Sequence, residues 1–193
     1  MLIYIHGYGS NGLSNKARHY QRLFGRDQVF APSLPTESRL AIDTLQQVIE
    51  FNTERKIGLI GSSLGGYWAV YLAERYGLPA VLINPAIPPW DRVEAMTRPD
   101  DFHWNDDQLK RLQPFRVESP STELQARLCL LQQMDDEVLN PVLALQYLPQ
   151  AEVHTGEGGG HRMNNVADYD SVVKRFFESN GCLNAKITAK HSL

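Results

Sequence analysis

Six short, largely apolar runs recur along the chain, at Leu2 to Ile5, Gln28 to Ala31, Lys56 to Ile60, Ala80 to Ile83, Arg127 to Leu131 and Glu152 to Thr155, and helical patterns separate most of them. That alternation constrains the fold more than any other feature. Apolar strands of this kind are buried on both faces, and a strand followed by a helix returns most readily to a parallel neighbour. The expected class is α/β, with about six parallel strands and helices on both faces. A doubly wound order of 2-1-3-4-5-6 sets the first and third strands side by side at the switch point, where ligands bind beyond the carboxyl ends of strands.

The helices carry their own signals. Ala41, Leu45, Val48 and Ile49 share a face in the second, and Val166, Tyr169, Val173, Phe176 and Phe177 mark the last. Asn140-Pro141 reads as an N-cap followed by proline at the first helical position, opening a helix to about Tyr147. At 193 residues the chain supports one substantial core, so a single domain over residues 1–180 is expected. Pro85 to Thr122 interrupts the alternation with six prolines and a cluster of aromatics. Connections longer than about 12–15 residues without regular structure are often lids or binding loops, so residues 85–122 are expected to form a cap, with Trp90, Phe102 and Trp104 as candidate pocket residues. The alternative is an excursion that buries its own aromatics. Residues 181–193 show no period and are expected to be a flexible tail.

Within this frame Gly61-Ser62-Ser63-Leu64-Gly65 matches the G-x-S-x-G nucleophile elbow. Five letters alone are weak, since the pattern arises by chance in roughly 6% of chains of this length. Its setting is more specific: Lys56 to Ile60 reads as a buried strand and Leu64 to Tyr76 as a helix, so the motif occupies the strand-to-helix junction its chemistry requires. Ser63 is the candidate nucleophile.

A serine nucleophile needs a base, an acid to orient the base, and donors for the oxyanion. Of the six histidines, His19 lies in a polar helix-like stretch, His154 in a strand and His191 near the end. His161 follows the last strand and the glycine-rich Gly156 to Gly160, at the carboxyl edge of the sheet, and is the candidate base. The alternatives are a loop histidine with a surface partner or a phosphate-cradling loop, the latter weakened by the absence of a nearby G-K-[ST]. The acid is expected where the fifth strand ends in Asp135-Asp136-Glu137; position favours Asp136 without separating it from Asp135. The order Ser63, Asp136, His161 is that of α/β-hydrolases. For the oxyanion, the backbone N–H groups of Leu64 and Tyr8 are the expected donors, with Gly7 and Gly9 shaping the loop after the first strand. His6 is expected to be a structural hydrogen-bonding group.

Composition narrows the alternatives. A formal net charge of -3 offers no electrostatic case for nucleic acid. No apolar run approaches membrane-spanning length and the start lacks a signal-peptide pattern, which favours the cytoplasm. Cys129 and Cys182 do not make a disulfide framework, and Cys129 reads as a structural thiol in a core strand.

With His6-Gly7-Tyr8, Gly61 to Tyr67, Asn84-Pro85-Ala86, Asp136-Glu137-Val138-Leu139 and Gly158-Gly159-Gly160-His161 together, the chain resembles the YqiA-like small bacterial esterases of the α/β-hydrolase superfamily from about Leu2 to Phe177. The resemblance implies a minimal hydrolase fold without the usual N-terminal hairpin strands, and activity on small acyl esters or thioesters with no cofactor and no metal. It places the acid at the Asp of a D-E-V-L turn, here Asp136. Asp135 departs from the pattern, which commonly has Gly there, and leaves an extra carboxylate beside the acid turn. The expected function is a serine esterase or thioesterase. Its rivals are a non-catalytic binding module on the same fold, or a triad enzyme acting on another acceptor or bond, such as an acyltransferase or C–C hydrolase. The sequence specifies no oligomeric state.

Overall fold

The computed structural model describes residues 1–87 and 110–183. Its centre is a six-stranded parallel sheet of β1 (Leu2–Ile5), β2 (Val29–Phe30), β3 (Gly58–Ser62), β4 (Ala80–Ile83), β5 (Leu128–Gln133) and β6 (Glu152–Gly156), in the order β2-β1-β3-β4-β5-β6. This is the order expected of the sequence, and it places β1 beside β3 with Ile5 opposite Gly61. The main helices are α1 (Asn15–Phe24), α2 (Ser38–Phe51), α3 (Leu64–Tyr76), α4 (Thr122–Gln125), α5 (Pro141–Tyr147) and α6 (Asp170–Ser179).

Alternate strand residues feed two cores. Ile3, Ile5, Leu59, Leu82 and Leu130 pack with α2 and α3 on one face, while Leu2, Tyr4, Ile60, Ile83 and Leu131 pack with α1 and α6 on the other. The period-2 geometry of a strand sends neighbours to opposite faces, so helices on both sides explain why β1, β3 and β4 are buried at every position. Ala41, Leu45 and Ile49 of α2 are buried as the helical pattern predicted, with Val48 packed at the margin.

Local signals set the element ends. Ser14 caps α1 by accepting from the Ala17 N–H at 3.4 Å, and Gly77 ends α3 in the left-handed conformation with φ 65°. Asn140 caps α5 through the Val142 N–H at 3.0 Å, with Pro141 at the first helical position. β5 runs on past its apolar residues through Gln132 and Gln133, both buried: Gln132 Nε2 donates to Asn84 Oδ1 at 3.2 Å, and the Gln133 amide donates to the Tyr169 hydroxyl and accepts from the Gly159 N–H. One boundary differs from the sequence pattern. The last helical pattern divides: Val166–Tyr169 is a 3₁₀ turn and α6 starts at Asp170, although all five apolar residues reach the core.

Both described ends of the Pro85 to Thr122 segment rest against α3. Ala86 and Ile87 are buried, the Tyr67 hydroxyl donates to the Leu112 carbonyl at 2.8 Å, and Tyr71 meets Phe115 edge to face at 5.2 Å. Trp90, Phe102 and Trp104 lie outside the described residues, as do 184–193. Cys182 is buried and its N–H donates to the Phe177 carbonyl at 2.9 Å, so the backbone remains packed to that point. Cys129 and Cys182 are both free thiols, and burial pushes Cys129 up to about 12. Among the described residues no helix is long and apolar enough to cross a membrane.

Candidate active site

Ser63 joins β3 to α3 with φ 54° and ψ −122°, a backbone conformation that a side chain makes costly and glycine normally occupies. Neighbouring glycines make the corner possible. A Cβ on Gly65 would run into the backbone carbonyls of Ile5 and His6, and one on Gly61 would meet the Gly65 carbonyl and Ala69. A Cβ on Gly7 would sit 2.9 Å from the Ser63 Cβ, so the loop after β1 lies directly against the serine. Three backbone bonds hold the corner: the Ser63 N–H donates to Ile83 O at 3.0 Å, and Ser63 O accepts from Gly66 N–H at 2.8 Å and Ala86 N–H at 3.0 Å.

This packing yields a prediction. Gly65→Ala pushes α3 away from the rigid β1 backbone, so a loss of about 1–3 kcal/mol in unfolding free energy is expected by urea denaturation. An unchanged midpoint would mean that the helix backs away from the sheet at no cost.

The Ser63 side chain does not cap the helix it precedes. Its Oγ lies 3.1 Å from His161 Nε2, and His161 Nδ1 lies 2.9 and 3.0 Å from the two carboxylate oxygens of Asp136. The Asp136 side chain is fully buried, and its Oδ1 also accepts from the Val138 and Leu139 N–H groups at 2.9 Å each. An ionised carboxylate only accepts, so the ring proton belongs on Nδ1 and the Nε2 lone pair faces the serine hydroxyl. The three candidate residues, distant in sequence, therefore form one chain of hydrogen bonds at the carboxyl edge of the sheet.

The neighbouring carboxylates go elsewhere. Asp135 accepts from the N–H groups of Gly158 at 2.9 Å and Gly160 at 3.3 Å, so the extra carboxylate binds the glycine-rich segment and not the imidazole. Glu137 accepts from the His161 N–H at 2.8 Å, a bond that holds its carboxyl below the ordinary range. Neither role was visible in the sequence, where Asp135 and Asp136 were indistinguishable by position. Asn84 was also missed: wholly buried at φ 40°, it donates through Nδ2 to the carbonyls of Gly160 and His161 at 3.0 Å each. Its place directly after β4, at the edge where the histidine loop returns, was the available signal.

Leu64 is the first residue of α3, and the first N–H groups of a helix have no partner within it. Tyr8 lies in a turn closed by Ser10 N–H to Gly7 O at 3.3 Å, with Gly9 at φ 62°. His6 is buried and accepts from the Leu34 N–H at Nε2, 2.8 Å, while Nδ1 faces Gly7 O at 2.8 Å. Both its ring nitrogens are thus engaged in holding loops. Two further histidines are paired, His19 with Asp170 and His154 with Glu152.

Cys129, Glu152 and His154 bring possible metal-ligand atoms within 4.8 Å of one another, but at the amino ends of β5 and β6, opposite the Ser63 edge. Glu152 there already pairs with His154 at 2.8 Å and Arg175 at 3.2 Å.

Comparison with known proteins agrees with this architecture. The fold is similar to that of Est1E from Butyrivibrio proteoclasticus with ferulic acid bound (TM-score 0.72, 15% identity, 94% of this chain and 89% of that one). It is equally similar to mouse alpha/beta hydrolase domain-containing protein 10 (TM-score 0.72, 17% identity, 92% and 89%). In sequence the chain is 25% identical over 183 residues to the UPF0227 protein YcfP of Salmonella paratyphi A, covering 91% of this chain and 98% of that protein. Residues 1–178 match the uncharacterised protein family UPF0227, in keeping with the YqiA-like resemblance of the motifs. On an α/β-hydrolase fold, the chain belongs to the UPF0227 family.

Proposed function

We propose that this protein is a serine hydrolase that cleaves small carboxylic esters or thioesters through an acyl-enzyme on Ser63. The observation that carries the reading is the continuous hydrogen-bond chain from Ser63 Oγ through His161 to the buried Asp136 carboxylate. An unassisted serine hydroxyl is a poor nucleophile near neutral pH, and this arrangement supplies its base. As Oγ attacks the acyl carbon, its proton passes to His161 Nε2, giving an imidazolium beside the Asp136 carboxylate. Collapse of the tetrahedral adduct breaks the bond to the alcohol or thiol, which leaves with that proton. Water then repeats the sequence at the acyl carbon, releasing the carboxylic acid and restoring Ser63.

The oxyanion is assigned to the Leu64 and Tyr8 N–H groups, each worth about 3 kcal/mol of transition-state stabilisation. The packing of Gly7 against Ser63 supports the Tyr8 assignment, and the helix start supports Leu64. The reaction as assigned uses no metal or cofactor. The segment from Pro85 to Thr122 is assigned as a cap, with Trp90, Phe102 and Trp104, which lie outside the described residues, as its candidate pocket residues from the sequence. One described end bonds Ser63 through the Ala86 N–H and the other bonds Tyr67 of α3 through the Leu112 carbonyl, which supports that assignment. Est1E, similar in fold, binds ferulic acid, a carboxylic acid, which agrees with an acyl substrate.

A fluorophosphonate probe tests the reading. Stoichiometric labelling of folded protein is expected, with the adduct on the peptide carrying Ser63, together with turnover of a short p-nitrophenyl ester. Folded protein that neither labels nor turns over the ester would leave the fold as a binding module and overturn the assignment.

A further inference from the structure

The chain before His161 has little intrinsic order. Gly156, Gly158, Gly159 and Gly160 precede the histidine, and Gly158 and Gly160 sit at φ 87° and 57°. Glycine loses more backbone freedom on ordering than any other residue, so a base carried on such a segment needs external restraint. The structure supplies it through side chains from the neighbouring strand ends. The N–H groups of Gly158 and Gly160 go to Asp135, that of Gly159 to Gln133 Oε1 at 2.9 Å, and that of His161 to Glu137 Oε2 at 2.8 Å.

The carbonyl side is held as well. Asn84 Nδ2 donates to Gly160 O and His161 O, while Asn84 Oδ1 accepts from Gln133 N–H at 2.7 Å and Gln132 Nε2 at 3.2 Å. All four hydrogen-bonding positions of this buried amide are occupied, which fixes its orientation. The His161 residue is consequently gripped on its N–H by the acid turn and on its carbonyl by the end of β4.

We propose that Glu137 and Asn84 are positioning residues for the His161 imidazole, holding its backbone from two sides so that Nε2 stays in line with Ser63 Oγ and Nδ1 with Asp136. The effect on turnover rests on the serine-hydrolase reading above; the effect on the ring does not. Glu137 is an exposed residue, so its substitution does not open the core. A bond to the backbone needs an acceptor oxygen more than it needs charge, which distinguishes Glu137→Gln from Glu137→Ala.

The test uses the full chain and two readouts: the far-downfield proton resonance of the His161 Nδ1–H···Asp136 bond, and steady-state kinetics on a p-nitrophenyl ester. Glu137→Ala is expected to broaden or abolish the resonance and lower kcat by about 10- to 100-fold, with KM within about threefold, as a small displacement of a catalytic group does. Glu137→Gln keeps an oxygen for the His161 N–H and is expected to restore both readouts to within about threefold of wild type. Asn84→Asp keeps an acceptor oxygen and leaves at most one donor for the two carbonyls, so it moves both readouts in the Glu137→Ala direction while circular dichroism confirms folding. A folded Glu137→Ala protein with a sharp wild-type resonance overturns the inference, whether or not wild type turns over esters. An inactive wild type whose resonance is lost in Glu137→Ala sinks the esterase reading and supports the positioning role.

Discussion

Ser63→Ala is expected to lower kcat on a short p-nitrophenyl ester by about 10⁵- to 10⁶-fold, leaving what binding and the oxyanion donors contribute. The size of the effect follows from the connectivity. His161 Nε2 faces the serine oxygen at 3.1 Å, so without that oxygen neither base nor acid has a nucleophile to act through. Retained turnover in the purified variant would sink the nucleophile assignment.

The same position makes an opposite prediction about stability. Serine at φ 54° and ψ −122° occupies a region that suits glycine, and such strain costs on the order of 1–3 kcal/mol. Ser63→Gly is therefore expected to be as inactive as Ser63→Ala yet more stable than wild type by about 1 kcal/mol in chemical denaturation. A less stable Ser63→Gly would indicate that the serine contributes to packing more than the corner costs.

Asp136→Asn is expected to lower kcat by about 10⁴-fold with the fold intact. An asparagine preserves one oxygen for the Val138 and Leu139 N–H groups, so the turn survives. Its amide, however, presents a donor to His161 Nδ1. The ring then favours the other tautomer, and Nε2 points an N–H at a hydroxyl that needs a base. Asp135→Asn leaves an oxygen for the Gly158 and Gly160 N–H groups and is expected to change kcat by less than about threefold. If Asp135→Asn were the crippling change, the acid assignment would move to its neighbour.

The strands, the span of α3 and the start of α5 were legible because their signals are local: apolar runs, the helical pattern from Leu64 to Tyr76, and Asn140-Pro141. Gln132 and Gln133 extend β5 past its apolar run, and hydropathy scores such amides without knowing their partners. Asn84 and Glu137 escaped the site reading for a related reason. What they do is hydrogen-bond backbone 77 and 24 positions away, and no periodicity records such a contact. Asp135 carried a visible departure from the esterase pattern, but whether its carboxylate would face the imidazole or the glycine amides depended on the direction of a turn.

The sequence by itself determined the parallel α/β architecture, the place of the elbow at a strand-to-helix junction, and the order along the chain of Ser63, the Asp135-Asp136 turn and His161. These follow from local pattern and from the rule that a doubly wound sheet gathers its ligand-facing loops at the carboxyl ends of the strands. Only the tertiary structure decided that Asp136 and not Asp135 meets the imidazole, that Gly7 lies against Ser63, and that the glycine-rich segment is held by Asn84, Gln133, Asp135 and Glu137. Hydrogen bonds depend on angstrom-scale direction between segments far apart in the chain, and only the packed sheet sets that direction.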